Sequence, residues 1–226
     1  MSLSLNIGLA LSLLGAPLLL LGFKALRIDS LSLISRVALW LLAGTVLAFA
    51  TYGSGSWSQQ IGIQAPTAIH LAAAVFAAFA MLAIWPIAQH LQKSYGGVRV
   101  EQTESFQKIA RFSFGRRLFL VVTAAVVEEI LYRSYAIGIG QTIWGSMMAA
   151  VVVSLGVFVA AHFQWGVSHL FFVFWAGLVL SLLFVFTNNI WACMLAHAIV
   201  DAVGLLLAPA AMARKRTRVP PSTHTG

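Results

Sequence analysis

Long apolar runs alternate with short polar links along most of the chain. A helix needs ~20 mostly apolar residues to cross the hydrocarbon core of a bilayer. The runs that approach this length cover approximately residues 5–23, 34–52, 67–91, 117–137, 142–163, 168–187 and 189–208. The pattern predicts an all-α fold, a polytopic transmembrane helical bundle with about seven spans. Pro86 lies inside the third run, so that span is expected to tilt or kink.

Composition supports a membrane protein and excludes several other classes. The 226 residues are 60% hydrophobic and only 9% charged, which is too apolar for a soluble domain. The net charge of +8 could indicate nucleic acid, but the cations lie in the links, a pattern typical of membrane topology. We therefore expect the lipid bilayer, and no nucleic acid, as a partner. Cys193 is the single cysteine, so no disulfide within the chain is possible.

The positions of the cations predict an orientation. All Lys and Arg residues except Arg133 lie in the regions 24–36, 93–117 and 214–218. The links near residues 53–66, 138–141 and 188 contain none. Seven spans with the N-terminus outside and the C-terminus inside place all of these cations on the cytoplasmic side, as the positive-inside rule requires. The first run has no positive residue before it, which favours a retained span over a cleaved signal peptide.

The sequence predicts one transmembrane domain over residues 1–208, followed by a basic, disordered cytoplasmic tail over 209–226. The link 93–117 leaves two interpretations open. Phe106, Ile109 and Phe112 recur at helical spacing, which fits a helix on the membrane surface. A loop with scattered apolar anchors fits equally well.

Acidic residues inside the apolar runs are the strongest sign of function. An ionised carboxylate at the centre of a spanning helix costs ~2.5–3.5 kcal/mol on insertion scales. Even so, Glu128 and Glu129 stand side by side in the fourth run, and Asp201 lies in the seventh. At ~100° per residue, Glu129 and Arg133 lie on one helix face and predict an i,i+4 ion pair. Glu128 lies ~140° from Arg133 and is expected to face something else.

Two further pairs have the same one-turn spacing. Phe158 and His162 share a face in the fifth run, and His197 and Asp201 share a face in the seventh, with Cys193 one turn earlier. Helices carrying Glu128, His162, His197 and Asp201 could bring them together in one cavity. Each member alone has a structural explanation. An isolated histidine is more often a packing residue, the ion pair could serve only stability, and Cys193 is expected to be a small buried residue. The remaining histidines of the runs, His70, His90 and His169, are expected at the interface.

The three patterns together resemble the CPBP family of intramembrane proteases, which includes type II CAAX prenyl endopeptidases and bacteriocin-processing, Abi-like or self-immunity proteins. The family pattern is Glu-Glu-x-x-x-Arg, then Phe-x-x-x-His, then His-x-x-x-Asn or Asp. Here these read EEILYR at 128–133, FVAAH at 158–162 and HAIVD at 197–201. The resemblance covers residues 117–208, the motif-bearing core.

The resemblance implies a role for each residue. Glu128 would be the general base that activates water, and His162 would help to hold that water. His197 and Asp201 would stabilise the oxyanion, while Glu129, Arg133 and Phe158 would support the site. Asp201 stands where the prenyl endopeptidases have asparagine, and an ionised aspartate cannot donate a hydrogen bond to an oxyanion. It would have to be protonated, orient His197 or bind a cation.

The residues favour a water activated by glutamate, without a covalent intermediate. No serine is placed with histidine and acid in a recognisable triad. We expect no cofactor and no metal ligands, although Glu128, His162, His197 and Asp201 have the ligand types of a zinc site and leave a divalent-metal variant open. The predicted function is an intramembrane endopeptidase acting on a membrane-associated peptide or protein.

Two other functions use the same residue types. Intramembrane Glu, His and Asp also form proton relays, so a proton- or ion-coupled transporter is the main alternative. A non-catalytic immunity or scaffold member of the same family is the second. The expected location is an integral, multi-pass protein of a prokaryotic inner membrane. The identity of the substrate, and whether it is prenylated, is not encoded in these patterns.

Overall fold

Two long antiparallel helices begin the fold in a computed structural model that describes residues 3–87, 90, 107–163 and 167–207. They are α1 (Leu3–Ala25) and α2 (Leu33–Gly53), and their faces pack against each other. The Ser32 side chain accepts a hydrogen bond from the Ser35 amide and so caps the start of α2. The predicted tail 209–226 and most of the link 93–117 lie outside the described residues.

The third predicted span begins after a short helix. That helix, α3 (Trp57–Gln60), is followed by α4 (Ala68–Ala83). Thr67 and His70 form a reciprocal capping box at the start of α4. A turn at Ile84 interrupts the helix immediately before the segment that contains Pro86, as expected for a residue that cannot continue an α-helix.

The fourth predicted span is divided into helices of different geometry. It begins as α5 (Phe114–Glu129), widens into the π-helix π1 (Ile130–Ile139) and returns to α6 (Gly140–Trp144). Gly145 then ends the segment with φ of 64°, a left-handed conformation that glycine adopts without steric cost. The change from α to π geometry comes directly after Glu129, so the residues EEILYR straddle it.

The remaining helices follow one another along the chain with short connections between them. They are α7 (Met147–Ala161), α8 (Val167–Thr187) and α9 (Ile190–Ala202), and α9 continues as a π-helical segment, π2 (Val203–Leu207). The Ser146 side chain caps α7 by accepting from the Ala149 amide. The Asn189 side chain caps α9 in the same way at the Ala192 amide.

Five of the described helices are long and apolar enough, by length and composition, to cross a membrane. They are Leu3–Ala25, Leu33–Gly53, Ala68–Ile87, His169–Thr187 and Ile190–Leu207. They coincide with the first, second, third, sixth and seventh predicted spans, so the all-helical membrane architecture is confirmed for the described residues. The fourth and fifth predicted spans are not among these five helices. The fourth is divided by a change of helix geometry, and the fifth, α7, has only 15 residues, or ~22 Å.

Helix π1 lies in the centre of the fold, and all of its residues are buried. Backbone polar groups inside a membrane must find partners within the protein. The Ser12 hydroxyl of α1 donates to the Leu131 carbonyl, and the Ser154 hydroxyl of α7 donates to the Tyr132 carbonyl at 2.6 Å. Two neighbouring helices therefore bind the π-helical backbone through serine side chains.

The helices that meet at one end of the bundle carry cations, and we call this the basic end. Lys108 forms an ion pair with Asp29 at 2.6 Å, and Arg116 donates to the Leu31 carbonyl at 3.3 Å. Arg117, at the start of α5, donates to the Leu205 carbonyl of π2 at 3.2 Å. The basic end therefore contains the end of α1, the starts of α2 and α5, and the end of π2.

Candidate active site

A cavity of about 120 Å³ lies between α4, α5, α7, α8 and α9. The four residues predicted to be catalytic all contribute to its wall. Its polar lining consists of Glu128, His162, His169, His197 and Asp201. Its apolar lining consists of Met81, Ala124, Phe158, Phe172, Val173, Ala176, Leu180 and Val200. The fold thus brings residues from three separate motifs to one small pocket.

The adjacent glutamates have different environments. Glu129 is fully buried, and its Oε1 accepts hydrogen bonds from Arg133 Nη1 at 3.0 Å and from His197 Nδ1 at 2.8 Å. The i,i+4 ion pair predicted between Glu129 and Arg133 is therefore present. Glu128 faces the cavity, because neighbouring side chains on a helix are rotated by ~100°. Its charge acts on His197 and Asp201 across the pocket.

Phe158 connects the ion pair to the cavity. The Arg133 guanidinium lies over the Phe158 ring, 4.4 Å from its centroid, in a cation–π contact. The same ring stacks edge-on against Tyr132 at 5.1 Å and lies 4.9 Å from the His162 ring. Arg133 Nη2 also donates to the Gly177 carbonyl of α8 at 3.1 Å. The phenylalanine of the second motif thus orients residues of the first and second motifs together.

His162 is held in one orientation by its own helix. Its Nδ1 lies 2.8 Å from the Phe158 carbonyl oxygen. A carbonyl can only accept, so Nδ1 carries the proton and the neutral ring keeps an acceptor lone pair at Nε2. His162 also forms the C-cap of the short helix α7, so the chain turns at the level of the cavity.

His197 lies between two carboxylates. Its Nδ1 donates to Glu129, and its Nε2 lies 3.7 Å from Asp201 Oδ2. The second distance is too long for a hydrogen bond but short enough for electrostatic attraction. Because Nδ1 already carries a proton, donation from Nε2 requires the doubly protonated ring. Glu129 and Asp201 flank that ring and would stabilise its positive charge.

Among the described residues, Cys193 is not one of those that line the cavity. It is fully buried in the apolar core, and its Sγ points to the Leu180 carbonyl at 3.7 Å. The expectation of a small buried residue is therefore confirmed. His70 is half-buried and His90 is exposed, and neither lines the cavity.

The sequence patterns missed three residues near the site. His169 was expected at the membrane interface, but it lines the cavity because α8 begins only a few residues after the end of α7. Tyr132 and Arg36 both interact electrostatically with Glu128. The Tyr132 hydroxyl is buried without a hydrogen-bond partner among the described residues. Tyr132 lies within the first motif, but no spacing rule connects Arg36 on α2 with α5.

A bound metal ion needs several ligands that converge on one point. Nowhere in the described ranges do three or more His, Cys, Asp or Glu side chains converge as metal ligands. In the cavity wall His197 Nε2 lies 3.7 Å from Asp201 Oδ2, and His197 Nδ1 is already bound to Glu129. The divalent-metal variant therefore remains a hypothesis for chelation experiments.

Part of the chain matches the model of a known protein family. Residues 111–203 match the family model described as type II CAAX prenyl endopeptidase, Rce1-like. The match includes all three motifs and confirms the resemblance to the CPBP family over this segment, which is fewer than half of the 226 residues. The matched family is a family of proteases, which supports an enzymatic role. No curated protein and no solved structure matches the chain.

Proposed function

We propose that the chain is an intramembrane endopeptidase that hydrolyses a peptide bond of a membrane-associated substrate with a water activated by Glu128. The observation that carries this proposal is the division between the two glutamates. Glu129 is occupied by Arg133 and His197, whereas Glu128 shares a cavity with His162 and His197. A carboxylate that faces a small polar pocket is available for base catalysis.

The reaction follows from the donors and acceptors in the pocket. The water donates one hydrogen bond to His162 Nε2 and one to Glu128, which removes that proton as the oxygen attacks the substrate carbonyl. His197, doubly protonated between Glu129 and Asp201, donates from Nε2 to the developing oxyanion. Asp201, 3.7 Å from the same nitrogen, stabilises the positive charge of the His197 ring by electrostatic attraction. Glu128 then passes its proton to the leaving amine.

The pocket opens toward the basic end in this proposal. His162 ends α7 and Asp201 lies near the end of α9, and π2 continues from there to Leu205, which contacts Arg117. The positive-inside rule assigns the basic end to the cytoplasm. Seven passes with the N-terminus outside, in a prokaryotic inner membrane, satisfy this assignment. Substrate and water then enter from the cytoplasmic half of the bilayer.

The test compares Glu128→Gln with wild type in cells whose membranes are analysed for uncut precursors and new protein termini. Asp29→Asn is the matched control, because it makes the same carboxylate-to-amide change outside the cavity. We expect a precursor to accumulate with Glu128→Gln alone, since the amide cannot accept the proton from water. Equal cleavage by a properly inserted Glu128→Gln variant would remove the proposed base.

Two further measurements separate the alternatives. Proton-coupled flux through the wild type in liposomes, without cleavage, would favour the transporter. Identical membrane proteomes for wild type and Glu128→Gln, without flux, would favour the non-catalytic scaffold. Loss of cleavage in chelator, with recovery on adding a divalent cation, would replace the metal-free mechanism with the metal-dependent one.

A further inference from the structure

A short segment at the end of α3 and just after it is bound by hydrogen bonds from two other parts of the fold. It covers residues 59–64, at the end of the bundle opposite the basic end, and we call it the bridging segment. From π1, the Ser134 hydroxyl donates to the Ile61 carbonyl at 2.9 Å. Ile61 and Ser134 are each 1% exposed, and a side chain at Gly138 of π1 would collide with the Gln60 carbonyl. The bridging segment therefore meets π1 inside the fold.

The other partner of the bridging segment is the beginning of α9. Asn189 is the N-cap of that helix, because its Oδ1 accepts from the Ala192 amide at 3.0 Å. The same buried side chain also donates to the segment, so it fixes where α9 begins and ties that point down. Three successive residues donate to carbonyls of the segment: Asn189 Nδ2 to Gln64 at 2.9 Å, the Ile190 amide to Gly62 at 2.8 Å and Trp191 Nε1 to Ile63 at 3.2 Å.

The two elements that this segment connects carry the two sides of the contact between His197 and Glu129. Glu129 directly precedes π1, and Ser134 follows Arg133, which binds Glu129. His197 lies about two turns after Asn189, or ~12 Å along α9. Within the described residues no side-chain hydrogen bond joins π1 directly to α9, so the bridging segment is the hydrogen-bonded link between them at this end. The 2.8 Å bond from His197 to Glu129 depends on their alignment, since hydrogen bonds weaken steeply when they are bent or stretched.

We propose that the bridging segment positions the active site, with Ser134 and Asn189 as positioning residues that hold His197 against Glu129. The inference rests on the proposed function, in which Glu129 keeps His197 doubly protonated so that Nε2 can donate to the oxyanion. A shift of ~1 Å, even one that begins far from the reacting atoms, can cost about a hundredfold in rate. None of the three motifs includes Ser134 or Asn189, so this role is additional to theirs.

Two substitutions cut the link on opposite sides. Ser134→Ala removes the donor on the π1 side. Asn189→Ser removes the side-chain donor on the α9 side but keeps an N-cap, as Ser146 provides for α7. The matched control is Tyr135→Phe, which removes a hydroxyl of π1 that donates to the Leu5 carbonyl of α1. All three lose one hydrogen bond to a backbone carbonyl, so a change at the site in the first two alone reports positioning rather than a general loss of stability.

The first measurement is the nuclear magnetic resonance spectrum of the full chain in detergent micelles, with isotope-labelled histidine. An imidazole N–H bound to a carboxylate gives a proton signal far downfield, and the His197 signal is identified by its absence from His197→Gln. We expect this signal in the wild type and in Tyr135→Phe, and its loss or a clear upfield shift in Ser134→Ala and Asn189→Ser. A wild-type signal in either of these two overturns the proposal, as does its absence from the wild type. If one of the two variants does not insert, the other decides.

The second measurement is cleavage in proteoliposomes. The probes are a fluorescence-quenched peptide with a farnesylated cysteine three residues before its C-terminus, and the same peptide without the farnesyl group. We expect Ser134→Ala and Asn189→Ser each to lower kcat about tenfold with KM nearly unchanged. The double variant should lose little more than either, because both interrupt the same link. Additive losses overturn the proposal, because they indicate two independent contacts, and so does a wild-type kcat or an effect on KM alone.

The two measurements separate this inference from the proposed function. Cleavage of neither probe by the wild type, or equal cleavage by Glu128→Gln, removes the endopeptidase, while the His197 signal still decides whether the bridging segment positions that ring. An unchanged signal in Ser134→Ala and Asn189→Ser, together with an inactive Glu128→Gln, removes the positioning role and leaves the endopeptidase intact.

Discussion

The first helices and the motif-bearing segment bury different kinds of polar group. Within α1 to α4, the buried polar side chains of the described residues are the hydroxyls of Ser12 and Ser35. The segment 114–207 buries a full ion pair, Glu129 with Arg133, besides Asn189 and several hydroxyls. Burial of charge is expensive in a membrane protein, so it is confined to the segment that holds the cavity.

The two regions also depend on each other. Ser12 of α1 donates to the Leu131 carbonyl, and Trp40 of α2 donates to Thr123 Oγ1 at 3.1 Å. In the other direction, the Tyr135 hydroxyl of π1 donates to the Leu5 carbonyl at 3.2 Å. The first helices therefore supply packing and hydrogen bonds to the segment that supplies the chemistry.

The largest effect on stability is expected from Arg133→Met. It leaves the buried carboxylate of Glu129 without its cation, and breaking a buried ion pair in this way costs ~3–5 kcal/mol. The measurement is the free energy of unfolding in detergent micelles. The double variant with Glu129→Gln should regain part of the loss, and Lys24→Met, at an exposed cation of the first region, should change little. A loss as small as that of Lys24→Met would contradict the buried pair.

A smaller change, in activity alone, is expected at Asp201. Asparagine has the same shape but lacks the negative charge that stabilises the doubly protonated His197, so Asp201→Asn should lower the cleavage rate about tenfold. Asp201→Ala removes the same charge and should lower the rate to a similar extent. The rates are compared in proteoliposomes at equal protein. A rate close to that of the wild type for Asp201→Asn would contradict the role of the charge.

Hydrogen bonds to π1 are expected to contribute less. Ser12→Ala, in the first region, and Ser154→Ala, in the second, each remove the donor to one buried carbonyl and should destabilise the fold by ~1 kcal/mol. Unfolding free energies measure both. Thr45→Ala is the control, because the exposed Thr45 hydroxyl bonds only within its own helix, to Leu41. If Ser12→Ala matches the control while Ser154→Ala does not, the first region contributes no such support.

The smallest effect is expected at the exposed ion pair of the basic end. Burial raises the pKa of the Asp29 carboxyl, but the hydrogen bond and charge of Lys108, the Leu31 amide and Arg116 outweigh it, so this pKa lies below its ordinary value of 3.8. Asp29 therefore stabilises the fold above about that ordinary value, and the contribution is lost as the pH falls through the lowered pKa. A pair this exposed contributes at most ~1 kcal/mol.

Asp29→Asn should accordingly reduce stability slightly at pH 7 and not at all at a pH well below 3.8. Unfolding is followed across this range in both proteins. A difference that persists at low pH would mean that Asp29 acts through its shape rather than its charge. A difference that appears only above pH 7 would contradict the direction of its pKa shift.

Much of the architecture was predictable because it depends on local sequence. The length of an apolar run decides whether a helix can cross a bilayer, and five described helices agree with the runs. The Glu129–Arg133 pair was predictable because both residues lie on one helix at i,i+4 spacing. The motifs also selected four of the five polar residues that line the cavity. Their individual roles, the seven passes and the orientation of the chain remain predictions.

By itself, the sequence determined the elements and the chemistry that each one carries, because periodicity and spacing act within a single helix. The tertiary structure decided how the helices are rotated and how deep each one lies. It brought His169 into the pocket, joined His197 to Glu129 across 68 residues and bound the backbone of π1 through Ser12. These contacts join different helices, and their geometry is set by side-chain packing between helices, which no repeat along one helix encodes.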